Sequence, residues 1–211
     1  MVLDIHTHHA APQPQGVIAR IFDGETLVFN KDQAYSVGIH PWNTLTEVSD
    51  ASWEKMVAAA SLPQVVAIGE TGIDLAGKGG ALFRQLNVFR RHIELSETLG
   101  KPLVIHDVKA HDIIIGLRRD MRPTQNWAIH GFRGKPQVAD MLLRAGCYIS
   151  FGAEFNRMAL LEMPEDLILA ETDESPLTIG QVIARLSDVR DKDMTETIAA
   201  NSQRFLNKPA E

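Results

Sequence analysis

The chain carries eight histidines, and five of them fall at comparable places. His6, His8, His40, His106 and His130 each end or directly follow a short aliphatic run, as do Glu70 and Asp173. Imidazole and carboxylate are the donors that bind Zn²⁺ and Mn²⁺. A single such residue at a strand end is an ordinary polar group at the rim of a core. A set of them aimed at one point is costly to bury unless something pairs them, and a metal centre is the simplest partner. His6-Thr7-His8 fits mechanically, because residues i and i+2 of a strand project to the same side.

The remaining candidates carry less. His40, in Gly38-Ile-His-Pro-Trp42, either touches substrate or orients the proline turn that follows it. His9 points away from the His6/His8 pair in a regular strand, and His92 and His111 are expected on helix surfaces. Trp53 and Trp127 read as packing residues, and Trp42, beside His40, as one that can line a pocket. Cys147 starts a strand at the end opposite the histidines, and no serine sits in a G-x-S-x-G elbow, so nucleophilic catalysis has no carrier. Two-metal hydrolysis remains: two divalent ions sharing a carboxylate and a water of lowered pKa. Glu70 is the natural bridge, and Asp173 is placed to ligate one ion and to take a proton during attack.

The elements that must position these groups are eight β-branched or aliphatic runs: Val2–Ile5, Val17–Phe22, Tyr35–Ile39, Val65–Ile68, Leu103–Ile105, Trp127–Ile129, Tyr148–Phe151 and Leu167–Ala170. Helical stripes lie between the later ones, as in Leu82, Leu86, Phe89 and Ile93, and in Trp53, Met56, Val57 and Ala60. Thr178 with Gln181, and Asp193 with Glu196, have capping-box spacing and predict two closing helices. Strand alternating with helix gives a parallel sheet whose two faces are both covered, which is why the strands read as continuous apolar runs. Eight such strands predict an α/β fold, a (β/α)8 TIM-like barrel, in which all strand C-termini meet at one face and form the site. The doubly wound alternative lacks its G-x-G-x-x-G fingerprint, and Gly77-Lys-Gly-Gly80 reads as a flexible loop. Only His9 to Gly16, with two prolines, joins the first two runs, so the barrel is expected to be reduced or distorted around strands one to three: either no helix fits there or the second run is not a barrel strand.

Composition bounds the partners. The 211 residues, 45% hydrophobic and 23% charged, suit a single globular domain over 1–211 and exclude disorder and fibres. No apolar run approaches the roughly 18 residues of a membrane span, which points to a cytoplasmic protein without membrane contact. With 21 basic and 27 acidic residues, net charge -6, nothing attracts polyanions generally, so a nucleic-acid substrate has to be held by metal or by a few placed arginines.

Eight ordered blocks resemble the TatD family of metal-dependent hydrolases: Asp4-Ile-His-Thr-His8, Val37-Gly-Ile-His-Pro41, Ile68-Gly-Glu-Thr-Gly-Ile-Asp74, Pro102-Leu-Val-Ile-His106, Ile129-His-Gly-Phe-Arg-Gly134, Tyr148-Ile-Ser-Phe151, Leu169-Ala-Glu-Thr-Asp173 and Asn201–Phe205. The resemblance implies an amidohydrolase-like barrel with a two-metal site on His6, His8, Glu70, His106, His130 and Asp173. It also implies hydrolysis of phosphodiesters in DNA, often from a 3′ end, or of a short nucleotide. Glu70 stands where related barrels place a carboxylated lysine. The histidine-rich set favours Zn²⁺ or Mn²⁺, with Mg²⁺ kept open by the resemblance. Arg133, three residues past His130, is either a phosphate contact or an exposed loop residue. Two segments are shorter than in family members: residues 9–39 between the first two histidine motifs, and the loop after Asp173. A small amide or ester as substrate, and a metal-binding regulatory barrel without turnover, are the alternatives to a nuclease.

Overall fold

The computed structural model describes residues 2–9 and 16–206. Eight strands, β1 Asp4–Thr7, β2 Gly16–Ile21, β3 Ala34–Gly38, β4 Val65–Asp74, β5 Leu103–Val108, β6 Trp127–Ile129, β7 Cys147–Phe151 and β8 Ile168–Ala170, follow one another in sheet order. Every neighbouring pair is parallel. The ring closes where Asp173 N–H donates to the His6 carbonyl (3.0 Å) and His8 N–H donates to the Asp173 carbonyl (3.1 Å). The expected barrel is therefore formed. β2 pairs with both β1 and β3, so it is a true barrel strand. Residues 10–15 of the first connection lie outside the described residues, and residues 22–33, which join β2 to β3, contain no helix.

Among the described residues there are seven α-helices: α1 Asp50–Ala60, α2 Leu82–Leu99, α3 His111–Met121, α4 Pro136–Arg144, α5 Arg157–Glu162, α6 Ile179–Arg190 and α7 Thr195–Leu206. The Thr178–Gln181 capping box that starts α6 is formed in both directions. At α7 the Asp193 carboxylate instead accepts from Thr195 N–H at 2.9 Å. Between strands and helices lies the larger core, with Ile68, Leu103, Ile105, Trp127 and Ile129 facing outward. Inside the ring, Ile5, Ala67, Val104, Ala128 and Leu169 form a second cluster closed by Phe205 of α7. Asn201 fixes α7 there, its amide donating to the carbonyls of Glu165 and Ile168, each at 2.7 Å. Side chains alternate along a strand. Val104 and His106, Ala128 and His130, and Leu169 and Glu171 accordingly share the inner face, and the polar residues form a layer directly above the apolar plug.

Two elements differ from the sequence reading. β4 runs on through Gly69, Glu70 and Gly72 to Asp74, and β5 through His106 to Val108, so Glu70 and His106 lie within strands. The glycines that read as strand breakers serve close packing. His92 is not a helix-surface residue: it is 0% exposed, and its Nε2 accepts from Ile39 N–H (3.0 Å) while its Nδ1 donates to the Val88 carbonyl (2.8 Å). α2 packs this ring against the end of β3, where the ladder leaves Ile39 N–H in need of an acceptor.

Burial lowers the His92 imidazole from 6.5 to about 4, because the charged form would lose its hydration. Folding then requires the neutral ring, so its contribution is complete above the unfolded value of 6.5 and is lost as pH falls from there toward 4. The loss is on the order of 3 kcal/mol. Urea unfolding of wild type and His92→Gln across that pH range should show a steep acid decline in the wild type that the variant lacks. Parallel declines would refute it.

Candidate metal centre

Glu70 is the hub. In β4 three steps, from Ile68 to Thr71, run opposite two in β5, from Leu103 to Ile105, a bulge that re-aims the extra residue. Its carboxylate, 4% exposed, lies at the barrel mouth among five imidazoles. Oε1 lies 2.6 Å from His106 Nδ1, 2.7 Å from His130 Nε2 and 3.0 Å from His40 Nε2. Oε2 lies 3.3 Å from His6 Nε2 and 3.6 Å from His8 Nε2. Asp173 Oδ1 closes on the same pair, 3.8 Å from His6 Nε2 and 3.6 Å from His8 Nε2. Of the eight residues singled out from the sequence, all but Arg133 thus meet within one cluster.

Each imidazole has its own positioning. The Trp42 backbone N–H donates to His40 Nδ1 at 3.1 Å, which places the His40 proton on Nε2, facing Glu70. His40 therefore caps the Pro41–Thr44 turn and faces the centre at once. His6 is 0% exposed, yet neither ring nitrogen makes a hydrogen bond to any described residue. Its 3.3 Å approach to Glu70 lacks hydrogen-bond direction. An imidazole so placed is costly unless a cation takes its lone pair. His9, as expected, turns outward and bonds the Ser175 carbonyl at 2.6 Å.

Electrostatics follows the same pattern. Burial alone would raise the Glu70 carboxyl; His130, His106 and His40 overcome it and hold the group well below the usual carboxylate range. Burial alone would lower His130, and the carboxylates of Glu70 and Glu171 drive it well above its ordinary value. His8 is raised by its interaction with Glu70. Asp4, between β1 and β8, is pushed up to about 7 by burial despite hydrogen bonds from Thr172.

Two carboxylates that the sequence reading passed over join the cluster. Asp74 Oδ2 lies 3.2 Å from His106 Nε2 and accepts from the Trp42 indole N–H at 2.6 Å. Glu171 Oε1 lies 3.3 Å from His130 Nδ1 and accepts from Gly131 N–H at 2.6 Å. The signal for Glu171 was its parity with Leu169 and Asp173 along β8. Beside the centre opens a cleft of about 440 Å³ lined by His106, Lys109, His111, His130, Arg133 and Asp173. Arg133 is exposed at its rim.

A family model described as TatD related DNase matches residues 21–207. The chain belongs to the TatD-related DNase family. Among curated TatD-family relatives, the uncharacterized metal-dependent hydrolase YabD of Bacillus subtilis (strain 168) is 26% identical over 196 residues, 81% of this chain and 76% of YabD. YcfH of Escherichia coli (strain K12), also named an uncharacterized metal-dependent hydrolase, is 31% identical over 156 residues, 70% of this chain and 58% of YcfH. The crystal structure of YjjV, a TatD homolog from Escherichia coli K12, superposes with a TM-score of 0.85 over 99% of this chain and 98% of that chain at 22% identity. The TatD fold is therefore shared, and the family is one of metal-dependent hydrolases. Among the described residues, no helix is long and apolar enough to cross a membrane.

Gly72 tests how tightly the TatD-type centre depends on strand packing. Its φ is +146°, and a Cβ there would lie 2.1 Å from the His106 carbonyl oxygen. Gly72→Ala should push β5 and its histidine away from β4 and cost about 3 kcal/mol or more. Gly116→Ala, in open space on α3, should instead stabilise by up to about 1 kcal/mol. Equal midpoints in chemical denaturation would contradict this reading.

Proposed function

We propose that the chain is a two-metal phosphodiesterase acting on DNA or a short nucleotide. The observation that carries this reading is the division of Glu70: Oε2 faces His6 and His8, while Oε1 faces His106 and His130. A carboxylate with its two oxygens turned to two separate imidazole pairs suits a bridge. His6, His8 and Asp173 would hold one ion with Glu70, and His106 and His130 the other. Zn²⁺ or Mn²⁺ fits this nitrogen-rich set better than Mg²⁺. Two bound divalent ions would supply Lewis-acid charge and a water of lowered pKa.

The chain's own groups supply the rest. Asp173, with a side chain 32% exposed at the mouth, is the carboxylate placed to accept the proton of an attacking water. The His40 Nε2–H restrains Glu70. Lys109 and Arg133 put two permanent cations on the cleft beside His106 and His130, where a phosphodiester would lie. Those cations favour phosphate over a neutral amide or ester, so phosphodiesters rank above the small-substrate alternative. YcfH is matched over only 58% of its length, and it supplies no substrate assignment by name.

Protein loaded with Mn²⁺ or Zn²⁺ should cleave 3′-ended DNA, a dinucleotide or a model phosphodiester. Asp173→Asn should lower kcat by roughly 100-fold or more, as expected for loss of general-base and ligand roles. Arg133→Ala should act mainly on KM. Turnover confined to esters, lactones or dipeptides would replace this reading with the small-substrate one, and no turnover on either panel would favour a regulatory metal-binding barrel.

A further inference from the structure

Two buried carboxylates outside the proposed ligand set face the outer nitrogens of the two inner imidazoles. Glu171 is 0% exposed, and its Oε1 takes both the Gly131 N–H (2.6 Å) and the side of His130 that carries Nδ1 (3.3 Å). Asp74 is 3% exposed; its Oδ1 takes the Ala76 N–H (2.7 Å), and its Oδ2 takes the Trp42 indole and faces His106 Nε2. Glu70 is an acceptor too and lies nearer, so the inner nitrogens donate to it; an ion held at Glu70 would take their lone pairs instead, and each outer carboxylate then keeps the one remaining imidazole proton on the nitrogen it faces. His130 would thereby be left with a lone pair on Nε2, and His106 with one on Nδ1. These two nitrogens are the ones lying 2.7 and 2.6 Å from Glu70 Oε1. Contacts of that length are charge-assisted hydrogen bonds, and an ion held at Glu70 would replace the inner protons. His6 has no such outer acceptor, since its Nδ1 is unpartnered among the described residues.

Resting on the two-metal reading above, we infer that Glu171 and Asp74 are positioning residues that lock His130 and His106 in opposite tautomers and so preorganise one of the two ion sites, the one built by these histidines. Glu171 acts here as a positioning residue through Oε1, which the Gly131 amide also holds; its buried, unpaired Oε2 and its place beside His130 and Asp173 make ligation the competing outcome that the Gln variant tests. Asp74 extends the lock to the mouth. The same oxygen that orients His106 holds the half-exposed Trp42 ring, which also meets the His40 ring at 4.7 Å, the His106 ring at 6.1 Å and the Lys78 ammonium at 4.4 Å. Outer partners of metal-binding histidines fix the tautomer and raise the basicity of the ligating nitrogen, and their loss costs roughly 10- to 100-fold in metal affinity.

The test uses Zn²⁺ with the full chain. Nitrogen-15 histidine spectra of the zinc-loaded wild type should show the remaining proton of His130 on Nδ1 and that of His106 on Nε2. Competition titration with a chromogenic chelator should show two binding steps in the wild type. Glu171→Ala and Asp74→Ala should each weaken one step by roughly 10- to 100-fold and leave the other unchanged. Glu171→Gln and Asp74→Asn, which keep an acceptor oxygen, should recover much of that loss, and they serve as the variants if the alanine forms do not fold. Reversed tautomers, unchanged affinities in folded variants, or loss of a whole ion in Glu171→Gln would overturn the inference, the last by making Glu171 a ligand. A wild type that binds no Zn²⁺ would instead overturn the two-metal reading itself.

Discussion

The structure turns on keeping one carboxylate, Glu70, ionised at the mouth of a barrel where water scarcely reaches it. A buried carboxylate survives only if its desolvation is offset by charge and hydrogen bonds. Here five imidazoles from β1, the segment after β1, the turn after β3, β5 and the end of β6 do that together. No single strand can bring so many rings to one point. The closed ring can, because every strand ends at the same rim and the inner face of each places a side chain there.

The same requirement explains local features that look like irregularities. β1 and β4 each have three steps opposite two in a neighbour, and these two strands carry His6 and Glu70. Such bulges re-aim a side chain where the ladder is locally interrupted. Gly69 and Gly72 flank Glu70 because the backbone of β5 passes too close for any Cβ: the contacts would be 2.5 Å to the Val104 carbonyl and 2.1 Å to that of His106. Beneath the polar layer, the plug of Ile5, Ala67, Val104, Ala128, Leu169 and Phe205 keeps the floor dry, which strengthens each electrostatic contact above it.

Much of this was legible in the sequence, for identifiable reasons. His6, His8, His40, His106, His130 and Asp173 stood out because strand ends are marked by turn residues, and a parallel barrel collects those ends. All eight strands were visible as apolar runs because both faces of each are covered. What escaped notice depended on tertiary contact. Asp74 and Glu171 drew no assignment, since nothing local shows that a histidine from another strand faces each one. His92 flanks the apolar stripe of α2, and its burial follows only from the unpaired Ile39 N–H that α2 meets. β4 was read too short because Gly normally ends a strand, whereas here it allows two strands to approach.

The charge pattern also resolves how an acidic chain can address a polyanion. Net charge is -6, and four carboxylates, Glu70, Asp74, Glu171 and Asp173, crowd the centre. In the two-metal reading, two divalent ions cancel those four charges. The cations beside the centre are then Lys109 and Arg133 on the cleft, which Asp107 also lines, and Lys78 over Trp42. With ions bound, the mouth would present local positive potential against a negative background, and low-dielectric walls focus that field. Substrate attraction is thus tied to occupancy of the centre and not to the surface at large. This division fits a chain whose strands keep the full donor set while its loops are short. In the proposed reading, the barrel supplies the chemistry, and a few loop cations beside the centre, not a broad basic surface, meet the substrate.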